Sequence, residues 1–154
     1  MKTGWLIAAG MLAVALLGRV AAQTPEQRRQ HEEEKLAGVW RVIGVEVDGR
    51  TLAKEEIPNL RLTFRKGQYK VQLGSEKPQE GTYQIDPGKS PKTMDIARTT
   101  GPDKGKKQRG IYELVGNNLK ICACEENDER PTTFQTQDKP GCTVLILRRA
   151  PEGR

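Results

Sequence analysis

The sequence predicts an all-β fold: an eight-stranded antiparallel up-and-down barrel, preceded by a signal peptide and a short N-terminal helix. Three observations carry this reading. From Val39 onward, apolar residues alternate with polar ones in short runs, the two-residue period of strands that bury one face. Turn residues separate the runs, at Asp48-Gly49, Lys66-Gly67, Asp86-Pro87-Gly88 and Gly116-Asn117-Asn118. No interval between runs has room for a crossover helix, so neighbouring strands pair antiparallel. Eight such runs in about 110 residues suit an up-and-down barrel or a sandwich.

The elements follow in order. Residues 1–22 have the form of a secretory signal: Lys2 in the n-region, an uncharged apolar run from Trp5 to Leu17, and Val20-Ala21-Ala22 before Gln23. The run is shorter than the about 20 residues a spanning helix needs. The expected location is therefore outside the cytoplasm, periplasmic or extracellular, with nothing spanning the membrane after cleavage. Cleavage also removes Lys2 and Arg19, lowering the net charge from +6 to +4.

Residues 23–37 form a charged lead-in. Thr24 is placed to cap a helix, Pro25 fits its first position, and Gln27 completes a capping box. Leu36 is the only large apolar residue of that helix, so it is expected to be solvated rather than a core element. Residues 38–150 form the barrel. Its runs are Val39–Val47, Leu60–Arg65, Tyr69–Leu73, Thr82–Ile85, Thr93–Ile96, Ile111–Val115, Leu119–Cys124 and Thr143–Arg149. The first has a parity conflict: Trp40 and Val42 share one face, and Ile43, Val45 and Val47 the other. A β-bulge near Gly44 resolves it and bends the strand as closure requires.

Cysteine usage agrees with an oxidising compartment. Cys124 falls at the end of one predicted strand and Cys142 at the start of the next, so antiparallel pairing brings them together. A Cys124–Cys142 disulfide is the expected bridge, leaving Cys122 as a small buried apolar residue; a Cys122–Cys142 bridge is the alternative. Cys122-Ala123-Cys124 has no histidine or second cysteine pair to complete a metal site, and no metal or cofactor is expected.

Gly38-Val39-Trp40 opens the first strand, just after the helix, and Arg148-Arg149 ends the last. In lipocalins a G-x-W at this place lays its indole across the closed end of the barrel, beneath an arginine of the final strand. Gly38, Trp40 and Arg149 are the expected floor, with a cation–π contact between the last two. The chain also resembles the uncharacterised planctomycetal lipocalin-like domain family, whose members are typically exported. The stretches that carry the resemblance are Leu36-Ala37-Gly38-Val39-Trp40, Val45-Glu46-Val47-Asp48-Gly49, Gly81-Thr82-Tyr83, Pro91-Lys92-Thr93-Met94-Asp95-Ile96, Gly101-Pro102-Asp103-Lys104-Gly105, Gly110-Ile111-Tyr112-Glu113-Leu114, Leu119-Lys120-Ile121-Cys122 and Arg130-Pro131-Thr132-Thr133-Phe134. The resemblance implies a lipocalin-like barrel of unknown function, with no established active site to transfer. Cys122 fits the family pattern, whereas Cys124 and Cys142 are additions to it.

Catalysis finds little support. His31, the only histidine, lies in the charged helix, and the serines Ser75 and Ser90 lie in turns, so no nucleophile–base pair assembles. Gly88-Lys89-Ser90 ends like a phosphate-binding loop, but Tyr83 occupies the upstream glycine position and Pro91 blocks the following helix. No enzymatic activity is expected. Nor is a nucleic-acid partner, since aromatics for base stacking are only 5% of residues. Asp95 is expected outside the barrel if Met94 and Ile96 face in; with reversed parity it would need Arg61 or Arg98 as a partner. The acidic run from Glu125 to Glu129 and the basic run from Lys104 to Arg109 are expected to be solvated loops, the latter within reach of anionic envelope polymers. Leu62, Phe64, Val71, Tyr83, Ile96 and Tyr112 are the candidates to line a cup for a small apolar or amphipathic ligand. The competing expectation is a filled barrel that serves as a structural or protein-interaction module of the cell envelope.

Overall fold

Residues 22–151 are described by the computed structural model; the signal-peptide reading falls almost entirely outside them. The order of elements is helix α1 (Pro25–Leu36), then β1 (Gly38–Val47), β2 (Arg50–Thr51), β3 (Leu60–Arg65), β4 (Gln68–Leu73), β5 (Gln79–Asp86), β6 (Lys92–Arg98), β7 (Lys107–Val115), β8 (Asn118–Glu125) and β9 (Cys142–Arg149). Every pairing is antiparallel, each strand from β3 to β9 pairs with the next, and β9 returns to β1. Eight strands thus close into a barrel, which excludes the sandwich; the two-residue β2 only pairs back onto the end of β1.

The register explains how the wall bends. Val42 pairs with Leu147 and Gly44 with Ile146, so the β1–β9 ladder shifts between them. The bulge falls where the parity conflict placed it, and Val42 and Val45 both reach the interior. Two hairpins turn on two residues each, Asp48-Gly49 and Lys66-Gly67, all four with positive φ, as the tightest right-twisted hairpins require. Strand β7 starts at Lys107, four residues earlier than the apolar rhythm suggested. Lys107 pairs with Ala97 and Gln108 with Glu125, so the ladder continues where the side chains are no longer apolar and the rhythm falls silent.

Two features cover the barrel from outside. The first is α1. Its capping box forms as expected: the Thr24 hydroxyl accepts from the Gln27 amide (3.2 Å), and the Gln27 side chain accepts from the Thr24 amide (2.9 Å). The expectation that the helix is merely solvated is overturned, because Leu36 and Glu32 are both buried. One apolar side chain suffices, since it sits at the helix end against the barrel floor, and Glu32 pairs there with Lys92. The second feature is a strap, residues 126–141, folded over the outer face of β7, β8 and β9. Phe134 packs there on Ile111, Cys122 and Val144. The buried Thr136 hydroxyl donates to Glu46 (2.8 Å) and accepts from the Gly49 amide (2.8 Å). A Cys124–Cys142 disulfide closes the strap at its base, and Cys122 is the buried free thiol. Burial pushes that thiol above its ordinary range, with a minor opposing pull from Lys139.

Candidate functional site

The two ends of the barrel are built from the same inward-facing positions but different side chains. At the helix end, Trp40 is fully buried and its Nε1 donates to the Leu36 carbonyl (2.8 Å). The Arg149 guanidinium lies 4.2 Å from the indole centroid and donates to the Ala37 carbonyl (2.7 Å) and to that of Lys35. Gly38 has φ +121°, and a Cβ there would stand 2.9 Å from the Arg149 guanidinium, so the first residue of the G-x-W must be glycine for the arginine to cross. Phe64 and Tyr83 meet edge to face with centroids 5.2 Å apart. Met94, Tyr112, Leu119 and Leu147 complete a packed floor. The Tyr112 hydroxyl faces the buried Glu32 carboxylate, and burial, reinforced by that negative charge, holds its pKa far above the ordinary tyrosine value. Burial also raises Tyr83, whose hydroxyl has no hydrogen-bond partner.

Above this floor the interior opens into a cavity of about 250 Å³. Its wall is apolar: Leu60, Leu62, Val71, Ile121, Ala123 and Leu145, with Phe64 and Tyr69 on one side and Ile96 on the other. Polar groups gather at the mouth. Gln79 and Glu80 of β5, Arg98 of β6, Gln108 of β7 and Thr143 of β9 line the cavity there. Arg98 is held by Asp103, which also binds Lys106 at 2.7 Å. The Lys106 hydrogen bond is the main reason the Asp103 carboxyl lies below the usual carboxylate range, with Arg98 adding to it. Gly81 makes room for this wall, since a Cβ there would sit 2.3 Å from the Tyr69 ring.

Of the six residues expected to line the cup, Leu62, Phe64, Val71 and Ile96 do so. Tyr83 and Tyr112 share their parity but lie deeper, packed into the floor. Tyr69 has the same inward parity as Val71 and was legible from it. The collar residues Gln79, Arg98, Gln108 and Thr143 carried no such signal, because each is polar at a position where the period predicts an apolar residue. Asp95 faces outward as expected and pairs with Arg130 of the strap at 2.6 Å; neither Arg61 nor Arg98 is its partner. His31 is exposed on α1, Ser75 and Ser90 lie in turns, and no group of three metal-binding side chains occurs among the described residues.

A wider hollow of about 770 Å³ lies on the outer face of β5, β6 and β7. Its charges are largely matched already, Arg29 by Glu33 (2.9 Å), Lys107 by Glu126 (3.9 Å) and Asp95 by Arg130. The interior cavity is the better candidate, because its walls remove a ligand from water.

No family model matches the chain, and no curated protein does. One solved structure, an uncharacterized protein from Bacteroides eggerthii DSM 20697, is similar at a TM-score of 0.48 and 15% identity, covering 75% of this chain and 99% of that one.

Proposed function

We propose that the protein is exported and binds one small amphipathic molecule inside the barrel. The observation that carries this reading is the division of the interior cavity into an apolar wall and a polar collar. A ligand with a short hydrocarbon body and one polar end matches both parts: the body removes apolar wall from water, and the end meets the amides of Gln79 and Gln108 at the mouth. Size narrows the class. An apolar cavity of about 150 Å³ accommodates benzene, so 250 Å³ suits a molecule somewhat larger than a single ring and far smaller than a long-chain lipid.

Export is supported by the signal-like N-terminus and by the disulfide. The outer face of the wall carries Arg41, Arg61, Asp95 and Arg148 in exposed positions, whereas a barrel embedded in a bilayer presents an apolar band there.

The test follows Trp40 emission during titration with hexanoate, hexanol and a neutral sugar. Saturable change is expected with the two amphiphiles and none with the sugar. Ala123→Phe, which fills the cavity from its wall, is expected to abolish the response while leaving the circular dichroism of the barrel intact. A response unchanged in Ala123→Phe would place binding elsewhere, and absence of any response would favour a barrel that acts through its surface.

A further inference from the structure

The outer face of β3, β1 and β9 carries a feature that neither the cavity nor the fold explains. In the ladder, Arg41 pairs with Arg61 of β3 on one side and with Arg148 of β9 on the other. All three side chains are exposed. The row extends to Gln72 of β4 beyond Arg61 and to Asn118 of β8 beyond Arg148. Five strands therefore contribute two amides and three guanidinium groups, and no acid. None of the three arginines forms an ion pair among the described residues. Some exposed charges of the wall are paired, Lys70 with Glu80 and Asp95 with Arg130. Among the described residues, Arg65, Arg109 and Glu113 stand singly, and only Arg41, Arg61 and Arg148 form a row of like charge across paired strands. Like charges directly opposite one another on paired strands destabilise a sheet, so the row opposes folding, and an external anion seated on it would relieve that cost.

The neighbouring rows add an apolar rim. Val39, Ile43 and Ile146 are 39%, 45% and 36% exposed; Val39 and Ile43 flank Arg41 along β1, and Ile146 lies two residues before Arg148 on β9. We propose that this face binds an extended anionic polysaccharide carrying a carboxylate or sulfate on successive sugar units. The arginines stand about 4.8 Å apart across the strands, a spacing suited to a polymer with regularly repeated oxyanions rather than to one isolated ion. Guanidinium groups match such oxyanions in a two-pronged geometry, and the aliphatic rim meets the C–H faces of the rings. A bilayer fits less well, because the face is convex, its apolar side chains are short, and the interfacial anchors tryptophan and tyrosine are absent from it.

The experiment measures binding of the protein to polygalacturonate, dextran sulfate, neutral dextran and vesicles containing anionic phospholipid, at several salt concentrations. Binding to at least one charged polymer, weakening as salt rises, is expected, with none to neutral dextran. Arg41→Gln, Arg61→Gln and Arg148→Gln should each weaken it about tenfold. The charge-matched control Lys89→Gln, an exposed turn residue far from the row in sequence, should leave it unchanged. Equal losses in the control would reduce the effect to net charge and overturn the proposal, as would vesicle binding without polymer binding. Cavity binding followed by Trp40 emission is independent of these variants, so the two proposals fail separately.

Discussion

The floor and the mouth of this barrel are held by different forces. The floor is a packed cluster: Trp40, Leu36, Phe64, Met94, Tyr112, Leu119 and Leu147, sealed by a helix and crossed by one arginine. The mouth has an open centre, with Ala123 and Thr143 where the floor has rings. Its rim is held by the disulfide, the strap and the Arg98–Asp103–Lys106 contacts. The difference teaches that one continuous inward parity yields a plug or a cup according to side-chain volume alone. It also shows that a wall with an empty centre needs bonds at its edge in place of contacts across its middle.

The largest test of this contrast breaks the floor. Trp40→Ala leaves a cavity under Arg149 and removes the Nε1 hydrogen bond to Leu36. Denaturant unfolding should show a loss of about 3–5 kcal/mol. A loss under ~1 kcal/mol would mean that the floor is not the main packed unit.

The second test breaks the mouth. Cys124→Ala/Cys142→Ala frees a strap whose cysteines are 18 residues apart, for an expected cost of about 3 kcal/mol. The same variant should make Cys122 react with a thiol reagent in the native state. In the wild type its burial and raised pKa keep it silent until unfolding. Reaction of wild-type Cys122 at the rate of an exposed thiol would show that the strap does not cover it.

The smallest effect concerns charge at the rim. Asp103 has a folded pKa below its unfolded value. The stability it contributes is therefore complete above the ordinary aspartate range, near pH 4, and is lost as pH falls through the lowered folded value. The protection factor of the Gly105 amide, whose N–H donates to the Arg98 carbonyl at 2.9 Å, should fall as the pH falls through that window. Asp103→Asn should flatten the dependence; an unaltered profile in that variant would assign the acid sensitivity to another group.

The architecture was legible because burial on one side of a strand writes itself into the period of the sequence. Trp40 against Val45 gave the bulge, and Cys124 with Cys142 gave the bridge, because both depend on register alone. The helix was misjudged for the converse reason. Leu36 is one apolar residue among charges, and periodicity has no weight to assign it until the floor it covers is in place. Glu32 reads as another solvated acid, although Lys92, 60 residues away, buries it. The cavity was half legible: parity selected the inward residues but carried no information on depth, so Tyr83 and Tyr112 of the floor were grouped with Leu62 and Val71 of the wall. Gln79, Arg98, Gln108 and Thr143 were invisible, since a polar residue at an open mouth reads in sequence like one facing out. The row of Arg41, Arg61 and Arg148 was equally hidden, being spread over 107 positions of sequence and brought into line only by strand pairing.

Return of β9 to β1 has one last consequence, for the fate of the protein at high concentration. A continuous ladder offers an incoming chain almost no exposed backbone to copy, β2 being the short exception. Native molecules should therefore be poor seeds for fibrils, and any tendency to aggregate should follow the supply of unfolded chains rather than the amount of folded protein.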